Sequence, residues 1–159
     1  MQNLDAIDQE ILCYLQQDAK MNIKELADKL HMTKTPVYER IKRLEKEGYI
    51  TEYVALLDKK KLDLSFIVFC EVTLSSQKIE YMNQFSEAIE KMPEVVECYI
   101  LGGVFDYLLK ILMPDLDSYY AFASTKIATL PNVSKIHSLF VLNEVKYSTA
   151  LPIEENKTK

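Results

Sequence analysis

The most constraining feature of this chain is a bracketed helix. Pro36 stands just after Thr33 and Thr35, Gly48 closes the segment, and Val37, Ile41 and Leu44 recur between them at three- and four-residue spacing. Proline is accepted in a first helical turn, where the backbone amides lack intrahelical acceptors, and glycine suits the left-handed residue that ends a helix. A helix therefore begins sharply after Thr33 or Thr35, runs to about Lys46 and stops at Gly48. At 100° per residue, with Val37 at 0°, Ile41 and Leu44 lie within about 40° of it, whereas Thr35, Glu39, Lys42, Arg43 and Lys46 fall between about 140° and 240°. The apolar stripe faces a core and the basic side chains point away from it.

Two helices precede it. Leu4, Ile7, Ile11, Leu12 and Leu15 form one stripe on a helix of about 5–17, with Asp5 as N-cap. Asn22 caps a second helix of about 22–30, with Glu25 three residues on and Met21 placed to staple against Leu26, and this helix buries Leu26, Ala27 and Leu30. His31 reads as a turn residue. Two short helices joined by a few residues, the second offering basic and hydroxyl side chains on its outer face, make the unit that enters a major groove.

Charge supports this placement. The formal net charge is −5, so the chain as a whole repels phosphate, yet residues 20–46 carry eight basic side chains against four acidic ones. A local basic patch is thus the only surface suited to DNA, although a charge run is as often a solvated face.

The ordered residues Leu4-Asp5, Asp8, Ile11-Leu12, Glu25-Leu26-Ala27 and Thr33 through Ile50 resemble the signature of Lrp/AsnC (feast/famine) transcriptional regulators. The resemblance makes the third helix the recognition helix and brings Thr33, Lys34, Thr35, Tyr38, Lys42 and Arg43 nearest the DNA. Lys34, Lys42 and Arg43 are suited to phosphates, and Thr35 and Tyr38 near the helix start to base edges. Arg40, on the flank of the buried stripe, either contacts phosphate or bridges to a helix-one carboxylate such as Asp8. Glu39 either pairs with Arg43 at i+4 or accepts from a cytosine amino group, with the pairing favoured.

From 49 to 57 the sequence is β-prone, and Asp58-Lys59-Lys60-Lys61 then breaks it, which reads as a strand and a hinge. The family commonly has a glycine after this connector, where Asp63 stands here. Beyond 64 the pattern is βαββαβ: strands at 66–74, 95–101, 105–113 and 133–145, with helices at 78–92 and 115–130. That order is the ferredoxin-like plait, an antiparallel sheet with both helices on one face. The second and third strands are apolar on both faces, so a second copy of the chain is expected to cover the free face as a homodimer. The resemblance extends this to tetramers or octamers and to an amino-acid effector.

The expected fold class is α+β: a winged-type helix-turn-helix domain (1–50), a strand and hinge linker (51–63), a ferredoxin-like effector-binding and oligomerisation domain (64–151) and a polar tail (152–159). The resemblance places an effector site at the hairpin Gly102-Gly103-Val104-Phe105-Asp106, lined by Leu101, Gly102, Gly103, Val104, Asp106, Ser134 and Ser138. Free glycine amides suit a ligand carboxylate and Asp106 its ammonium group. The alternative is a hairpin that requires positive φ, in which Asp106 satisfies the turn's own amides.

Other classes find little support. Cys13, Cys70 and Cys98 are odd in number, far apart and set in apolar stretches, and read as buried thiols. With histidine only at 31 and 137 and no Gly-rich phosphate loop, no enzyme, cofactor or metal centre is expected. No apolar run is long enough to span a membrane and no signal region is visible, so a cytoplasmic address is expected. The expected function is a sequence-specific DNA-binding transcriptional regulator responsive to an amino acid. The alternative is an amino-acid sensor or assembly module that binds a protein partner instead of DNA.

Overall fold

A computed structural model describes residues 4–153, and the chain divides into two compact units. One comprises the chain up to Leu56 together with the segment from Lys146 onward; the other is Leu57–Val145. The expected tail residues 154–159 lie outside the described residues.

The first unit is built on α1 (Ala6–Gln17), α2 (Ile23–Lys29) and α3 (Lys34–Lys46). Asp5 caps α1 in a reciprocal capping box with Asp8, and Asn22 caps α2 by accepting from the Glu25 amide at 2.9 Å. Ile11, Leu26, Val37 and Leu44 are fully buried together between the three helices. His31 turns the chain between α2 and α3 at φ 54°, and the Met32 amide bonds to the Ala27 carbonyl at 2.9 Å. Pro36 sits in the first turn of α3. At its end Gly48 has φ +79°, with the Gly48 amide on Glu45 and the Tyr49 amide on Leu44, the paired bonds of a Schellman close.

The second unit is a plait of β1 (Phe66–Leu74), α4 (Ile79–Glu90), β2 (Val95–Ile100), β3 (Tyr107–Met113), α5 (Leu116–Phe122) and β4 (Val133–Phe140). The sheet is antiparallel, in the order β2-β3-β1-β4. Alternation along the central strands sends Val68, Cys70, Val72 and Leu74, with Tyr107, Leu109 and Ile111, onto the helices, where Phe85, Ile89, Tyr119, Phe122 and Ile127 meet them. The Tyr107 hydroxyl keeps a partner inside this core by donating to the Met82 carbonyl at 3.0 Å.

Several expectations are corrected. Residues 51–58 run without strand pairing, because no neighbouring strand among the described residues offers them a ladder. The last strand ends at Phe140 instead of 145, and the segment from Lys146 groups with the helical unit, where the Gln16 amide side chain bonds both the N–H and C=O of Leu151 at 2.7 and 3.1 Å. The helix begun by α5 passes into a π-helical turn at Ala123–Ile127. Asp63, in place of the usual glycine, itself takes φ 54°. Of the cysteines only Cys70 is buried, and burial pushes its thiol up to about 11. Cys98 is exposed because β2 is an edge strand.

The glycines separate by backbone need. Gly48→Ala forces an L-residue into the left-handed region and should destabilise the helical unit by about 1 kcal/mol. Gly102 has no positive φ and open space where a Cβ would stand, so Gly102→Ala should stay within about 0.5 kcal/mol of wild type. Denaturant midpoints of the two variants check both, and equal losses would refute the assignment.

Candidate nucleic-acid interface and effector site

Helix α3 presents Thr33, Lys34, Thr35, Tyr38, Glu39 and Lys42 as exposed side chains, while Val37, Ile41 and Leu44 anchor it. Tyr38 is 48% exposed, so it is a surface ring and not a packed one. Lys42 lies over that ring, 5.8 Å from its centroid, and its ammonium bonds the Glu45 carboxylate at 2.8 Å. That hydrogen bond raises the Lys42 pKa, and the same bond depresses that of Glu45, which also accepts from the Tyr53 hydroxyl. Such a surface pair is weakly held and opens readily to a phosphate.

The two arginines behave differently. Arg40 Nη1 bonds Asp5 Oδ2 at 2.6 Å and Asp8 Oδ1 at 2.7 Å, and Arg43 Nη2 bonds the other Asp8 oxygen. Asp8 is only 1% exposed, so its carboxylate is a buried anion shared by two guanidinium groups of α3. Of the two alternatives for Arg40, the structure has the bridge to the helix-one carboxylates. Arg43, expected on phosphate or on Glu39, is instead turned back to α1, and its Nε is buried without a partner among the described residues. Position on the wheel misplaced it, since a long side chain at the edge of the outer face reaches around the helix to a buried charge. Burial alone would raise the Asp5 carboxyl, but the Asp8 amide and Arg40 outweigh it and hold Asp5 below its ordinary pKa.

In the plait, the chain between β2 and β3 carries Leu101, Gly102, Gly103 and Val104 at the surface, with Val104 86% exposed. Neither glycine takes positive φ, which removes the strained-hairpin explanation for the pair. Asp106 is firmly placed. Its Oδ2 accepts from the Leu74 amide at 2.7 Å and from Gln77 Nε2 at 3.4 Å, its amide donates to the Val72 carbonyl at 3.0 Å, and its carbonyl accepts from the Leu101 amide at 2.8 Å. The carboxylate thus secures the end of β1, where the register with β4 shifts at Thr73/Leu74.

Ser134 reaches the same strand end from the other side, donating to the Thr73 carbonyl at 3.0 Å. Ser138 lies farther along β4 opposite Cys70, and its hydroxyl shares a 2.5 Å bond with Tyr119 toward the helices. Gln77 at the carboxylate and Phe105, stacked on His137 at 6.0 Å, join the loop without having been anticipated. Phe105 was signalled only by its place inside the glycine–aspartate motif, and Gln77, 29 residues from Asp106, carried no sequence signal.

Residues 4–51 match the family described as winged helix-turn-helix DNA-binding, and residues 67–151 match the Lrp/AsnC ligand binding domain. The chain belongs to the Lrp/AsnC family. The leucine-responsive regulatory protein of Escherichia coli K12 is 39% identical over 152 residues, covering 96% of this chain and 93% of its own. An AsnC family regulator from Agrobacterium tumefaciens superposes with a TM-score of 0.90 at 38% identity, covering 94% of this chain and 97% of that one. A Neisseria meningitidis transcriptional regulator solved with L-Met superposes at 0.91 with 31% identity and coverage of 94% and 97%. As a member of this family the chain is a DNA-binding transcriptional regulator with a ligand-binding domain. Among the described residues no helix is long and apolar enough to cross a membrane, and no His/Cys/Asp/Glu group is placed to hold a metal ion.

Removing the shared anion should loosen α3. Asp8→Ala leaves two guanidinium groups without their carboxylate and should cost about 2 kcal/mol or more, short of the ~3–5 kcal/mol of a fully buried pair because both arginines are partly wet. The depressed Asp5 pKa adds stability above the ordinary carboxylate pKa that is lost as pH falls through the folded value. The helical unit should therefore weaken below about pH 4, and Asp5→Asn should flatten that loss. Acid titration of helical circular dichroism reads this directly.

Proposed function

We propose that this protein is a cytoplasmic homodimer, able to assemble further into tetramers or octamers, that sets paired α3 helices into successive major grooves and alters its DNA binding when an amino acid occupies the 101–106 loop. The observation that carries it is the outer face of α3, where exposed Thr33, Lys34, Thr35, Tyr38 and Lys42 surround a helix start while the apolar stripe is fully occupied by the core. Lys34 and Lys42 hold phosphates and Thr35 and Tyr38 touch base edges. Arg40 and Arg43 serve by fixing the helix on Asp5 and Asp8.

Dimerisation is supported by the sheet face opposite the helices. It carries Phe69, Leu108, Leu112 and Leu139 around the pairs Glu71–His137 and Glu97–Lys110, and no helix of the plait covers it. The proposed domains are 1–50 and 64–151 with 51–63 as the connector, a division supported by the family matches over 4–51 and 67–151. An amino-acid effector is supported by the ligand-binding family over 67–151 and by the L-Met bound to the Neisseria relative. The exposed backbone of Gly102 and Gly103 suits its carboxylate, with Leu101, Val104, Asp106, Ser134 and Ser138 as the further residues of the proposed site. Because Asp106 is already bonded to Leu74, an ammonium group there shares a carboxylate that also holds the sheet. No resident cofactor or enzymatic step is part of this function.

Gel-shift titration across salt concentrations tests it. Lys34→Ala and Lys42→Ala should weaken binding and flatten the salt slope by about 0.9 for each phosphate no longer neutralised, with the assembly unchanged by gel filtration. Unchanged affinity would move the helical unit to a protein partner instead. In a thermal-shift screen of the twenty amino acids, at least one should stabilise the protein, and Asp106→Asn should reduce that shift.

A further inference from the structure

The outer face of α3 holds one side chain that its cationic surroundings leave uncompensated. Glu39 is exposed at about 200° on the helical wheel, near the centre of that face, one turn after Thr35, one turn before Lys42 and two turns before Lys46. Its two natural helical partners are both committed elsewhere: Lys42 at i+3 to Glu45 at 2.8 Å, and Arg43 at i+4 to the buried Asp8. The preceding turn offers Thr35 and Pro36, which carry no charge. Among the described residues Glu39 has no hydrogen-bond or ion-pair partner.

A bare carboxylate facing DNA is repelled by every phosphate, and it becomes favourable only against a hydrogen-bond donor. In the major groove that donor is an exocyclic amine. Guanine presents two acceptors and thymine a carbonyl, and both reject a carboxylate. Adenine offers an amine beside the acceptor N7, whereas cytosine offers its N4 amine without an adjacent acceptor. We propose, resting on the assignment of α3 as the recognition helix, that Glu39 is a specificity-determining residue that accepts a hydrogen bond from a cytosine amine in each half-site. Asp8 makes this possible by drawing Arg43 away from the pairing that would otherwise neutralise Glu39.

The test compares the full-length wild type with Glu39→Gln and Glu39→Ala in selection from a random duplex pool, followed by titration on the selected site and its single-base variants. Both substitutions are at an exposed position and leave the core intact. The wild type should require cytosine at one position per half-site with a discrimination of about tenfold or more. Glu39→Ala should accept all four bases there and keep every other preference. Glu39→Gln, whose amide both donates and accepts, should shift that position toward adenine. Identical preferences in all three proteins, with the variants binding uniformly tighter to every duplex, would overturn the role of Glu39 while leaving α3 as the reading helix. A wild type that enriches no sequence would overturn sequence reading by α3 as a whole, and Glu39 with it.

Discussion

The buried Asp8 carboxylate organises the DNA-binding unit. It caps α1 together with Asp5, and it takes a guanidinium on each of its oxygens from α3. An anion so deeply buried is tolerable only because both oxygens are paired. It also fixes the rotation of α3 about its axis, which apolar packing of Val37, Ile41 and Leu44 leaves loosely determined, since smooth aliphatic side chains tolerate small rotations at little cost. The direction in which Thr35, Tyr38 and Glu39 point therefore depends on a charge two helices away in sequence.

This arrangement divides the basic residues by task. Arginine, with its planar fork, holds helices together, and lysine is left at the surface as a mobile point charge. A similar division recurs in the plait, where the Asp106 carboxylate secures the end of β1 through the Leu74 amide while Gly102 and Gly103 stay exposed. The strand end that Asp106 secures is the one where the sheet register shifts, so any change at this carboxylate is felt by the central strand.

Much of the fold was legible because it rests on local chemistry. The starts of α1, α2 and α3 follow from Asp5, Asn22 and the Thr33–Pro36 segment, and the end of α3 from Gly48, all within a turn of the residue concerned. Strand β1 was bounded as found by its run of β-branched and aromatic residues. The expected strand at 49–57 and the extension of the last strand to 145 failed for one reason: β-propensity describes a side chain suited to a ladder but cannot supply the neighbouring strand. Cys98 was misplaced for a related reason, since alternation assigns a residue to a sheet face but not its strand to the edge.

By itself, the sequence determined the helix-turn-helix, the βαββαβ order, the family and the outward face of α3, because each is written in spacings of a few residues. Only the tertiary structure decided which charges on that face are free. Arg43 and Glu39 are suitable partners four residues apart, but Asp8, 35 residues away, presents a buried and better-supported carboxylate to the same guanidinium. Competition of that kind is settled by burial and by long-range geometry, and neither is encoded in the local pattern of the helix.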